Sequence, residues 1–181
     1  MKKFELTNEF ITNMFGTKLF RIRALVEFGD VEAGELGGYV EKESNLGHDD
    51  NAWVYDNAWV YGDAQVSGDA LVYGNARVYG NALVYDNAWV YGNAQVSGDA
   101  RVCGDARVCG NGDYAYAHGF GSVNRTTTFF RLKDGGVGVR CGCFYGTLAQ
   151  FRDKIRETHG ETKKAQEYLM LADLMKLRFE K

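Results

Sequence analysis

Tyr55–Ala70, YDNAWVYGDAQVSGDA, recurs almost unchanged as Tyr85–Ala100, YDNAWVYGNAQVSGDA. Inside both stretches a valine returns every six residues, and the rhythm runs beyond them. Val54, Val60, Val66, Val72, Val78, Val84, Val90, Val96, Val102 and Val108 keep one phase. Alanine follows each valine at the fourth position, from Ala58 to Ala106, until Gly112 breaks the run. Between them stand Gly or Asp and then Asn or Asp, as in Gly74-Asn75 and Asp86-Asn87. A fixed internal period is read before any single helix or strand.

Neighbouring side chains on a strand point to opposite faces. With valine inward, the residues on either side of it face out, and the Gly/Asp-Asn/Asp pair forms a corner. Those residue types tolerate positive φ and bond to nearby backbone. Alanine then points inward beside the corner, where little room remains. The expected fold is mainly β: a left-handed parallel β-helix with three hexads, eighteen residues, per coil. This architecture departs from the usual right-handed crossover, and its flat sheets favour ladders of like side chains.

The eighteen-residue coil assigns outward faces. The first carries Trp53 and Tyr55, Leu71 and Tyr73, Trp89 and Tyr91, then Arg107 and Cys109. The second carries Trp59/Tyr61, Arg77/Tyr79 and Gln95/Ser97, and the third Gln65/Ser67, Leu83/Tyr85 and Arg101/Cys103. Stacked about 4.8 Å apart, Trp53, Tyr55, Leu71, Tyr73, Trp89 and Tyr91 would make a contiguous aromatic stripe. Exposed patches of several hundred Å² mark interfaces. The competing readings are a stripe covered by the C-terminal segment, or a ladder that only stabilises its sheet. The near-copies lie thirty residues apart, which is not a multiple of eighteen, so the duplication adds length and places its copies on different faces. Asn57, Asn75, Asn93 and Asn111 stack at one corner, where an amide ladder is expected; the other corners mix Asp with Asn. All three corners read as structural, and no metal is expected.

Residues 1–47 are expected to be an N-terminal β cap, 48–120 the β-helix, and 121–181 a C-terminal cap. In the first, Leu19–Phe28 alternates like a strand, with Phe20, Ile22, Ala24 and Val26 on one face. Leu36–Val40 resembles a degenerate coil. His48 replaces the inward valine of its hexad. Tyr114 and Phe120 hold the six-residue phase and would close the core with larger rings. Residues 126–144 read as a β-hairpin around Lys133–Gly136. Two helices follow, one from the capping box Thr147–Gln150 to His159-Gly160, the other from Thr162 to Arg178.

Charge is uneven: −4 over residues 1–50, −4 over 51–113 and +5 over 114–181, for −3 in all. No long apolar run suggests a membrane span, and Met1–Glu5 lacks a signal peptide's features. A cytoplasmic protein with reduced cysteines is expected, with no membrane partner and no nucleic acid.

Chemistry-bearing residues are few. The uninterrupted hexads contain no histidine; His48, His118 and His159 lie outside them. His118 is the best acid/base candidate, and nothing beside it completes a catalytic set. Cys141 and Cys143 would share one strand face as small buried side chains, since zinc needs more ligands. Ser122, Asn124 and Arg125 form a polar cluster at the junction of body and cap, suited to a small anion or nucleotide.

Over nearly its whole length the chain resembles uncharacterised hexapeptide-repeat proteins of bacteriophages and gut bacteria. The resemblance is carried by Leu19–Leu25 (LFRIRAL), Leu36–Glu43 (LGGYVEKE), the Ala-x-Val-Tyr-Gly-Asn hexads, and Cys141-Gly-Cys143-Phe144 with Gly146-Thr147-Leu148, Phe151 and His159. It implies a phage or mobile-element setting, in a bacterial host's cytoplasm. Small proteins that block host defence are common there, by binding an immune factor or sequestering a nucleotide signal. Hexapeptide β-helices also include trimeric acyltransferases using acyl-CoA, for which His118 would be the base. The expected function is a non-enzymatic binding scaffold, without cofactor, whose partner is a protein or further copies of itself as dimer or trimer.

Overall fold

A computed structural model describes residues 2–121 and 123–180. Its centre is ten two-residue strands: β4 (Trp53–Val54), β5 (Trp59–Val60), β6 (Gln65–Val66), β7 (Leu71–Val72), β8 (Arg77–Val78), β9 (Leu83–Val84), β10 (Trp89–Val90), β11 (Gln95–Val96), β12 (Arg101–Val102) and β13 (Arg107–Val108). Every third strand stacks in parallel register, Trp53 on Leu71 on Trp89 on Arg107 along the first face. The same offset builds β5-β8-β11 and β6-β9-β12. This is a parallel β-solenoid with eighteen residues per coil, as the spacing predicts.

The valines Val54 to Val108 and the alanines Ala52 to Ala106 are completely buried. Burying one valine contributes about 1.5–3 kcal/mol, so repetition alone assembles a continuous core. Backbone pairs such as Tyr55 N to Val72 O (2.8 Å) and Tyr73 N to Val90 O (3.0 Å) tie the coils together. At the corners the chain enters left-handed φ. Gly74 has φ +71°, and a Cβ there would sit 3.2 Å from the Gly92 nitrogen. Asp56 (φ 52°) and Asp86 (φ 57°) occupy the same slot. Their carboxylates accept from the backbone nitrogens of Gly74 and Gly104 one coil on, at 3.0 and 3.3 Å.

The side-chain ladder is found on the mixed corners, where Asn51 donates to Asp69 (2.8 Å) and Asn81 to Asp99 (3.0 Å). Among the described residues, no such bond joins Asn57, Asn75 and Asn93. A carboxylate is the stronger acceptor for an amide N–H, which favours the mixed stacks.

Before the repeat come β1 (Phe4–Thr12), β2 (Lys18–Ala24) and β3 (Leu36–Val40), which extend the second face into a six-stranded sheet. The β3 strand pairs in parallel with β5, Val40 against Val60, so solenoid pairing begins inside the Leu36–Val40 stretch. Leu46 bridges to Val66, and both pairs are twenty residues apart where the regular coils use eighteen. Leu46 therefore fills the inward slot that spacing gives to His48. His48 is half-buried instead, stacked on Phe4 at 4.4 Å, and its Nδ1 accepts from the Lys3 backbone N–H. The β2 strand ends at Ala24 and not Phe28. Leu19, Ile22 and Ala24 turn inward while Phe20 is half-buried, because the pairing of β2 with both neighbours is irregular there.

Beyond β13 the chain leaves the solenoid. An antiparallel sheet, β14 (Tyr114–Phe120), β15 (Arg125–Arg131), β16 (Val137–Cys141) and β17 (Phe144–Thr147), closes the end. The expected hairpin is its β15–β16 pair. Tyr114 is buried and donates to the Gln95 carbonyl at 2.7 Å. Phe120 is exposed, and Phe130 closes the core in its place. Two of the last coil's free donors find acceptors here: Thr128 Oγ1 of β15 accepts from Arg101 N (2.9 Å), and Asp113, just before β14, from Cys109 N (3.0 Å). An open sheet edge would otherwise remain.

The far side of this sheet packs on α1 (Leu148–His159) and α2 (Lys163–Phe179), through Phe129, Val139, Phe151, Tyr168, Ala172 and Met175. Thr147 and Gln150 make both bonds of the capping box. No helix among the described residues is long and apolar enough to cross a membrane.

Candidate functional site

The first face is split by the N-terminal cap. Trp53, expected on the open stripe, has no exposed surface: Phe28 meets its ring edge-on at 5.3 Å, and Phe4 at 6.2 Å. The cover is therefore the N-terminal segment and not the C-terminal tail. Lys3 completes this cover. It is 3% exposed, and its ammonium donates to the carbonyls of Asp50 and Ala52, both at 2.8 Å, and lies 3.4 Å from the Asp50 carboxylate. Desolvation lowers its pKa, and the facing carboxylate only partly offsets this. Tyr55, beside Trp53, is half-buried against the core.

Below this cover the face is open. Trp89 is 36% exposed. The Arg107 guanidinium from the next coil lies 4.0 Å from its ring centre, and Tyr73 meets its edge at 6.2 Å. Tyr73 and Tyr91 stack in parallel at 5.0 Å, and Leu71 is half-exposed above Trp89. Burial holds the Tyr73 phenol above its ordinary pKa, and a phenol is neutral at neutral pH with or without that shift, so Arg107 is the charged side chain among these five residues. Leu71, Tyr73, Trp89 and Tyr91 thus come together, while Trp53 belongs to the core.

The second face repeats the motif. Arg77 lies 4.2 Å over Trp59, and Tyr61 stacks on Tyr79 at 5.1 Å. The thirty-residue duplication relates Trp59 to Trp89. Arg77 and Arg107 lie outside the two near-copies, each eighteen residues, one coil, beyond the tryptophan it covers, so the tryptophan roofed by arginine stands on two faces.

At the body–cap junction a cavity of about 490 Å³ opens between the third face and the β14–β15 connection. It brings together His118, Asn124 and Arg125 with Arg101 of the last coil. His118 Nδ1 lies 2.9 Å from Thr126 Oγ1; no carboxylate among the described residues is bonded to the ring. Ser122, grouped with Asn124 and Arg125 by sequence, lies outside the described residues. Cys141 and Cys143 do not share a strand face: Gly142 (φ +59°) and Cys143 form the two-residue turn between β16 and β17. Cys143 is exposed, and Cys141 is half-buried beside Tyr168.

The profile of the YdcK beta solenoid repeat matches residues 64–78, 76–92 and 94–110. This is a β-solenoid repeat protein. No curated protein gives a significant match to the chain. The matched repeats span the part of the solenoid that carries Arg77, Trp89 and Arg107.

Two apolar features of this solenoid protein escape a reading of the sequence. Met170, Leu174 and Leu177 form a second, outward stripe on α2, exposed at 71, 54 and 70%. Met14 and Phe15 stand at the tip of the β1–β2 hairpin, held there by Asn13, whose side chain accepts from Phe15 N and Thr17 N. Apolar residues on all sides of α2 were the available signal. For the hairpin tip no periodic signal exists.

Proposed function

We propose that the protein is a non-enzymatic scaffold that binds protein through its first face, and that the occupant is a further copy of the chain. The observation that carries this reading is Trp89 with Arg107, Tyr73 and Tyr91 on a flat, nearly uncharged surface. Tryptophan, tyrosine and arginine dominate the energetics of protein interfaces, and their rings are already ordered by stacking, so little entropy is lost on association. A flat face of low charge meets its own copy without strong repulsion, in a dimer or a closed trimer. The resemblance to phage repeat proteins supports a setting in which the assembled scaffold blocks a host defence protein.

The native thiols test the surface. Cys109 ends the first face and Cys143 lies in the cap turn, and both are exposed. Raising the protein concentration should slow iodoacetamide labelling of Cys109 while leaving Cys143 unchanged. A Cys109 labelling rate that, like that of Cys143, does not change with concentration would refute first-face self-association.

A further inference from the structure

The junction cavity has a composition the scaffold reading does not use. Arg101 comes from the last coil and Arg125 from the start of β15, and both line the cavity. Neither guanidinium has a carboxylate partner among the described residues. The one carboxylate at the wall, Asp99, accepts from the Asn81 amide at 3.0 Å. His118 is held through Nδ1 to Thr126, which leaves Nε2 without a partner among the described residues. Arg125 is also positioned by backbone: Gly142 lies against its guanidinium, and a Cβ at that position would collide with it. Leu83 and Val123 supply apolar wall.

Two unpaired guanidiniums facing one cavity repel each other and gain from a shared anion. Arginine's planar donor fork matches phosphate oxygens two at a time. The volume falls within the 300–1,000 Å³ of ordinary small-ligand sites, far more than a bare phosphate fills. We infer that this cavity binds a phosphorylated small molecule of mononucleotide size, its phosphate between Arg101 and Arg125 and its less polar body against Leu83 and Val123. This site is separate from the first face, so either assignment stands without the other.

Isothermal titration calorimetry at low ionic strength tests it with three probes: 5′-AMP, inorganic pyrophosphate and adenosine. The expected result is one AMP or pyrophosphate bound per chain and much weaker adenosine binding. Removing one charge-assisted hydrogen-bonding partner of the phosphate costs roughly tenfold in affinity. Arg125→Gln should therefore weaken both phosphate probes by roughly tenfold, and Arg101→Gln/Arg125→Gln by roughly a hundredfold. Both arginines are exposed, so an unchanged melting midpoint verifies the fold of each variant. No heat with either phosphate probe, adenosine binding as tightly as AMP, or unaltered affinity in the double variant would each overturn the assignment.

Discussion

Trp53 and Trp89 stand two coils apart on one face with opposite fates. Trp53 is sealed beneath Phe4 and Phe28, whereas Trp89 is open to solvent on one side. Trp53→Ala should cost about 3–5 kcal/mol, the usual range for a buried tryptophan, measured by urea unfolding. Trp89→Ala should cost less, about 1–2 kcal/mol by the same measurement, because the ring is already 36% exposed and rests at the surface against the Arg107 cation and the edge of Tyr73. Sequence spacing assigns both residues to the correct face. It does not show that an N-terminal segment of no repeat character folds over one of them. Lys3 gives a pH signature for that cover. Its folded pKa lies below the ordinary lysine value, so the stability it contributes is present above about pH 10.5 and lost as pH falls through the lowered folded value. Lys3→Met removes a donor to two buried carbonyls and should cost about 2 kcal/mol at neutral pH. The stability difference between wild type and variant should widen in the wild type's favour as pH rises from 7 to 10.5.

At the scale of elements, the solenoid was legible because one six-residue rule fixes inward valine, inward alanine and a left-handed corner together. Gly74→Ala should cost about 1–2 kcal/mol, the penalty for left-handed backbone in a residue with a Cβ. Gly110→Ala should be nearly neutral, since Gly110 is not among the positive-φ glycines and no atom lies within 4 Å of its added Cβ. Comparing their thermal midpoints checks the role of the corner. The helices were legible from their caps, and Thr147→Ala should cost about 1 kcal/mol. What escaped reading lies where periods break. Two residues inserted between Leu46 and Val54 move the inward slot from His48 to Leu46, an effect invisible to a count in sixes. Likewise, Gly142 turns the chain between Cys141 and Cys143, so a spacing that suits one strand face leaves Cys141 at the end of β16 and Cys143 in the turn after it.

At the scale of the molecule, three sheets form the faces of a solenoid that carries antiparallel strands at both ends. The basic C-terminal residues and the acidic remainder give it a charge gradient from 114–181 to 1–113. Of the candidate sites, the first face was readable because stacking follows from the period. The junction cavity was only partly so, because Arg101 joins His118, Asn124 and Arg125 through the fold alone. Self-assembly through the first face requires Tyr73 and Trp89 to hold copies together. Sedimentation velocity on wild type and Tyr73→Ser/Trp89→Ser tests this, with melting midpoints measured alongside. Concentration-dependent dimers or trimers are expected for wild type, and a folded monomer for the double variant. Identical sedimentation of the two proteins across the concentration range would rule out assembly through this face.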